Sequence, residues 1–247
     1  LRAALPDAVI ISVDAFMAGI IDRFAGRDAD ARDDEFGLAS GWYPASLAYG
    51  KITPGHPLGE FLVAHGATEA DLEWFRRNAA VPDIQGCNAY PDFSHGWSNE
   101  PPEARKNDYT RAGGLPLERA AEEATALLTQ SIRRGHGYFG LPVYLTETSA
   151  GLSIEARIAF IDALGTWART MRSEGVPLRG VNWWPLFDTI QWDYREKSDL
   201  PVTEFIYEGG WNNGLYRIAP HPDGTLECVA TPAVAAFRAM IQRDETE

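Results

Sequence analysis

Short apolar runs alternate with longer stretches of helical period along most of this chain. Four runs read as buried parallel strands: 8–13 (AVIISV), 83–88 (DIQGCN), 142–146 (PVYLT) and 180–184 (GVNWW). Each is brief, mostly apolar and followed by polar or turn residues, as in strands covered on both faces. Leu117, Ala121, Ala124, Leu128 and Ile132 share one stripe of a helix predicted over 117–134, with Gly135 as its stop. Ile154, Ile158, Ile161, Leu164, Ala168 and Met171 do the same over 154–173, ahead of Gly175-Val176-Pro177. Thr68 and Asp71 form a capping signal for a helix reaching about Ala79, and 232–243 is a final amphipathic helix. Segment 37–52 is rich in Gly, Ser and Tyr and has weak periodicity. Runs 215–218 and 226–229 flank Pro222-Asp223-Gly224 and predict a hairpin within 214–229.

Strand–helix–strand alternation implies right-handed βα units on a parallel sheet. A complete (β/α)₈ barrel takes ~250 residues, so 247 would suffice, yet four such strands are legible rather than eight. The expected fold is α/β, of the TIM (β/α)₈-barrel type, with half of a barrel present. With no repeat, low-complexity tract or linker, 1–247 is expected to form a single region. Leu1-Arg2-Ala3-Ala4 lacks an initiator Met and a signal-peptide pattern, and reads as the last turn of a helix already under way. The expectation is a piece of a longer protein.

Composition narrows the function. A chain that is 45% hydrophobic and 23% charged can build a sizeable core. Its net charge of -13 would be repelled by a phosphate backbone, which argues against nucleic acid. No apolar run approaches the ~20 residues of a membrane span. Cys87 and Cys228 make neither a disulfide framework nor a metal-binding pattern, which predicts a reducing, cytoplasmic setting. The eight Trp, nine Tyr and eleven Phe are the unusual part: many belong to the core, but aromatic rings also stack on flat ligands and sugar faces.

In parallel α/β folds, functional side chains gather at the carboxyl ends of strands. Those ends are Asp14, then Asn88-Ala89-Tyr90, then Thr146-Glu147-Thr148, then Trp183-Trp184. Glu147 stands out as a carboxylate where a buried strand reaches the rim, although a Glu at a helix N-terminus can also serve the dipole. Asn88 and Tyr90 are two apart and share one face of an extended segment, an amide and a phenol suited to hydroxyl recognition. Both could equally be polar strand-end groups bonded to nearby backbone. Trp184 could be a large core residue.

Taken in order, these strand ends resemble the last four βα units of family 1 glycoside hydrolases, the β-glucosidase-like barrels. Leu145-Thr-Glu-Thr-Ser149 is similar to that family's Ile-Thr-Glu-Asn-Gly, whose Glu is the nucleophile. Asp83 to Tyr90 (DIQGCNAY) resembles Asp-Phe-x-Gly-x-Asn-Tyr-Tyr, and Gly180 to Trp192 (GVNWWPLFDTIQW) resembles Gly-Tyr-x-x-Trp-Ser-Leu-x-Asp-Asn-Phe-Glu-Trp. The likeness runs from about Ala8 to the C-terminal helix. It implies strands five to eight of a retaining β-glycosidase barrel, with Glu147 as nucleophile and Asn88 and Tyr90 beside it. Trp184 would be the floor under the sugar, and Gln191 and Trp192 would meet its outer hydroxyls. Two positions depart from the family: Gln191 replaces a Glu, and Thr148-Ser149 replace Asn-Gly. Glucose or galactose specificity is therefore not implied.

Retaining hydrolysis needs a second carboxyl group as acid/base, which the family carries in Asn-Glu-Pro at the end of strand four. Asn99-Glu100-Pro101 lies after the strand-six motif, so it reads as a chance tripeptide in a polar loop, and the acid/base is expected upstream of Leu1. The resemblance implies no cofactor and no metal. His95, His136 and His221 have no ligand spacing, Ala112-Gly113-Gly114 lacks a phosphate-loop pattern, and the run Asp28, Asp30, Asp33, Asp34, Glu35 reads as a solvated loop. The expected partners are a carbohydrate substrate and either the missing amino-terminal half-barrel or a second copy, since half a barrel leaves two sheet edges and an open interior. The rival expectation is a non-catalytic carbohydrate-binding or scaffold barrel.

Overall fold

The structure is a computed structural model that describes residues 3–15, 31–90, 117–149, 153–188, 214–223 and 225–245. Three parallel strands form its centre: β1 (Gln85–Asn88), β2 (Val143–Thr148) and β3 (Leu178–Trp183), in that order across the sheet. The 8–13 run lies on the far side of β1 in the same direction, so the four predicted segments are adjacent and parallel in chain order. It forms isolated bridges, Ile11 to Ile84 and Ala15 to Asn88, rather than the continuous strand expected. Side chains interrupt the ladder: the Ile10 N–H donates to Asp83 Oδ2 at 2.8 Å and the Gly86 N–H to Ser12 Oγ at 3.1 Å. Each of these side-chain oxygens takes an N–H that a carbonyl of the neighbouring segment would otherwise receive.

Helices α1 (Ala31–Gly41), α2 (Tyr43–Ala48), α3 (Pro57–Ala64) and α4 (Glu69–Arg77) stand between the first two sheet segments. Asp33, Asp34 and Glu35 thus lie in α1, not in a loop; Asp28 and Asp30 fall outside the described residues. The predicted Thr68 cap is present, Asp71 closing a capping box that starts α4. Helix α5 (Leu117–Phe139) follows β1, α6 (Ile154–Ser173) follows β2, and the antiparallel hairpin β4 (Tyr216–Pro220) and β5 (Leu226–Ala230) leads into α7 (Pro232–Glu245).

The core lies between the sheet and these helices. Val143 and Leu145 of β2, Cys87 of β1 and Leu178 of β3 pack with Leu128 and Ile132 of α5 and with Phe160, Ile161 and Leu164 of α6. Helix α5 passes straight through Gly135, where a stop was expected. A Cβ there would meet the Trp42 ring at 2.9 Å, so this glycine admits Trp42 to the core, and the turn comes at Gly140 with φ +70°. Trp42 in turn packs edge-on against Phe139.

Candidate functional site

The sequence of β2 would by strict alternation put Glu147 on the core side with Val143 and Leu145. The register prevents this. Cys87 pairs with Leu145, but the next residue, Asn88, pairs with Glu147, so Thr146 is one extra residue opposite β1. The β3 side shows a matching irregularity between Leu145 and Thr148. A bulge of this kind re-aims the side chains after it, and Glu147 emerges half-buried at the rim while Thr148 is buried. The strand also runs further than expected, so Glu147 lies within it.

Tyr90, just past β1, donates its hydroxyl to Glu147 Oε2 at 2.7 Å. That length is ordinary for a well-formed O–H···O bond. Burial first, then the bond to Glu147 and its negative charge, push the Tyr90 phenol well above its ordinary value, so it stays a donor. Asn88 accepts at Oδ1 from the Thr146 hydroxyl at 2.7 Å, which fixes its amide beside the same strand ends. The Ala89 N–H closes the bulge on the Glu147 carbonyl at 3.0 Å. Trp184 stands just after β3, one residue beyond the strand rather than within it, its N–H bonded to the Thr148 carbonyl at 2.9 Å. Its half-buried ring meets Tyr90 edge-on, the centroids 6.1 Å apart.

Four of the singled-out residues therefore share one rim, where Tyr90 links the carboxylate to the indole. Gln191, Trp192, His95 and Asn99-Glu100-Pro101 lie outside the described residues. His136 and His221 are elsewhere, bonded to the Leu141 carbonyl and to Asp223. Among the described residues no three His, Cys, Asp or Glu groups could hold a metal together, and no helix is long and apolar enough to cross a membrane. A groove of about 730 Å³ opens on the outer helical layer between α5 and α6, lined by Glu118, Glu155, Ile158 and Trp167, and touches none of the rim residues.

The sequence reading gave no role to Thr146, whose hydroxyl sets Asn88, or to the buried pair Arg157 and Asp188. Arg157 did leave a signal: it interrupts the apolar stripe between Ile154, Ile158 and Ile161, where an unpaired charge would be costly.

No family model and no curated protein matches the chain. Solved structures do. A GH1 β-glucosidase from Exiguobacterium antarcticum B7 is 16% identical with a TM-score of 0.55, over 100% of this chain and 54% of that one. A family 1 β-glucosidase from Thermotoga maritima is 16% identical with a TM-score of 0.56, over 98% of this chain and 52% of that one. The AHE enzyme from Alicyclobacillus herbarius is 17% identical with a TM-score of 0.52, over 100% and 53%. The chain spans about half the length of these structures, and its parallel α/β fold is that of the corresponding part of a family 1 glycosidase-like barrel.

Proposed function

We propose that the chain is the carboxyl-terminal half, strands five to eight, of a retaining β-glycosidase-like barrel, and that Glu147 is its nucleophile. The observation that carries this reading is the 2.7 Å bond from Tyr90 to Glu147 Oε2 at the carboxyl ends of adjacent parallel strands. A phenol that holds one carboxylate oxygen orients the other for attack. In the reaction, a Glu147 oxygen forms an ester bond with the anomeric carbon as the bond to the leaving oxygen breaks. That oxygen takes a proton from the acid/base, roughly 5–5.5 Å from the nucleophile. The same group then removes a proton from water, whose oxygen attacks the anomeric carbon as that carbon's bond to the Glu147 oxygen breaks and frees the carboxylate. Neither Glu147 nor Tyr90 can be this acid/base, since the phenol is needed as a donor; it belongs to the other half of the barrel.

Trp184 offers an aromatic face for the apolar side of a sugar, Asn88 an amide for its hydroxyls, and Gln191 and Trp192 contacts to the outer hydroxyls. No cofactor enters this chemistry. The open sheet makes the amino-terminal half-barrel, or a second copy, the protein partner. The rival reading, a sugar-binding barrel without turnover, draws on Gln191 in place of the family's Glu. A 2-deoxy-2-fluoroglycoside labelling experiment separates the two. Under the enzymatic reading the intact protein carries the label on Glu147, and Glu147→Gln loses turnover while retaining sugar binding. Label on another carboxylate, or full turnover in Glu147→Gln, excludes Glu147 as nucleophile.

A further inference from the structure

Two buried charges converge on a single backbone unit past the carboxyl end of β3. Arg157 of α6 is 4% exposed, and Asp188, five residues past β3, is 6% exposed. Arg157 Nη1 donates to the Gly214 carbonyl at 2.6 Å, and the Gly214 N–H donates to Asp188 Oδ1 at 3.1 Å. Two backbone bonds extend the tie: the Asp188 N–H to the Tyr216 carbonyl at 3.0 Å, and the Tyr216 N–H to the Leu186 carbonyl at 2.9 Å. Gly214 fits because it has no side chain; a Cβ would stand 2.4 Å from the Asp188 nitrogen and 2.5 Å from the Phe187 carbonyl carbon. Burial pushes the Asp188 carboxyl up, while the Gly214 N–H and the Arg157 charge pull it back toward the ionised form. The opposite end of the same segment is Trp184, bonded to the Thr148 carbonyl and packed against Tyr90. Residues 184–188 are thus strung between β2 and this buried clamp.

We infer that Arg157 and Asp188 are positioning residues, a clamp on Gly214 that sets where Trp184 stands against Tyr90 and so shapes the wall beside Glu147. The functional weight of the clamp rests on the glycosidase reading, but its geometry is testable without it. The full chain is labelled with 5-fluorotryptophan, and the fluorine resonances of Trp184, Trp167 and Trp42 are assigned by single Trp→Phe variants. Arg157→Met keeps an apolar stem and removes the guanidinium. It shifts or broadens the Trp184 resonance and leaves Trp42, and Trp167 on the same helix as Arg157, where they were. Arg157→Lys restores the charge and gives a smaller shift. A Trp184 resonance unmoved by Arg157→Met, or equal shifts of all three, overturns the clamp. Should Arg157→Met fail to fold, Asp188→Ala removes the acceptor of the Gly214 N–H and carries the same comparison. Titration of the intact protein, with both halves of the barrel, by the iminosugar deoxynojirimycin is the second readout, expected to weaken about tenfold with the Trp184 shift. No binding by the unaltered intact protein would count against the glycosidase reading and leave the clamp to the fluorine spectra.

Discussion

At the scale of single residues, the side chains legible in the sequence were those whose position in an element already implied their work. Glu147 could be found because a carboxylate at the end of an apolar strand is unusual. Its orientation could not, since the bulge at Thr146 depends on pairing with β1, and pairing leaves no mark in one strand's own pattern. Asp14 shows the same divide: its place at a strand end was evident, its surroundings were not. The carboxylate lies near Tyr49, its Oδ2 buried without a hydrogen-bond partner, and burial raises it above the ordinary 3.8 in spite of backbone bonds. The folded state therefore favours the protonated form. Stability from this site is full below the unfolded value and is lost as pH rises through the raised native one. Asp14→Asn, uncharged throughout, should be stabilising at pH 7, because it keeps the shape and removes the cost of burying a charge. Urea unfolding should show that gain shrinking toward pH 4, and an equal gain at both pH values would refute the account.

Elements were legible where their own period governs them, as in α6, whose predicted and observed limits coincide. They were not where a distant ring or side chain decides. Gly135 reads as a helix stop from local propensity, but Trp42, far upstream, turns it into a notch in a continuing helix. Two alanine substitutions in the last turns of α5 separate the roles. Gly137 is exposed, with open space where an added methyl would stand, so Gly137→Ala should stabilise by roughly 0.5–1 kcal/mol through helix propensity. Gly135→Ala gains the same propensity but drives its methyl into Trp42, and overpacking of this kind costs about 1–3 kcal/mol. It should be net destabilising in thermal unfolding. If both variants stabilise equally, Trp42 is not what requires the glycine. The broken first strand has a similar cause, because Ser12 and Asp83 look like ordinary polar residues until Ser12 takes the Gly86 N–H and Asp83 the Ile10 N–H of the neighbouring segment.

For the whole molecule, the count of βα units gave the class of fold, and the neighbours' length agrees with half a barrel. What the pattern could not give is how the sheet's uncovered side is arranged. On the first segment Ser12 and Asp14 turn toward Tyr49, whereas Val9 and Val13 are 67% and 64% exposed and Ile11 is 39% exposed. That apolar row faces solvent. Two copies would each bring a net charge of -13, so their contact is opposed by repulsion that salt screens over ~10 Å at 0.1 M. Sedimentation equilibrium should give a mass near 27.2 kDa at low salt and a larger, concentration-dependent mass at high salt. Val13→Glu should abolish the increase. A monomer at every salt concentration would rule out self-association through this row.

Cys87 lies in the layer between β1 and the helices, and burial pushes its thiol far above its ordinary value, whereas Cys228 is exposed on β5. Since only a thiolate attacks an alkylating reagent, the chain carries its own two-speed chemical clock. Cys228 should be modified at once by iodoacetamide, and Cys87 only during the moments when the sheet comes apart. The slow phase would then time the opening of the strand that carries Asn88, and a sugar seated on the rim should lengthen it. Equal rates at the two sulfurs would mean that this layer breathes as freely as the hairpin.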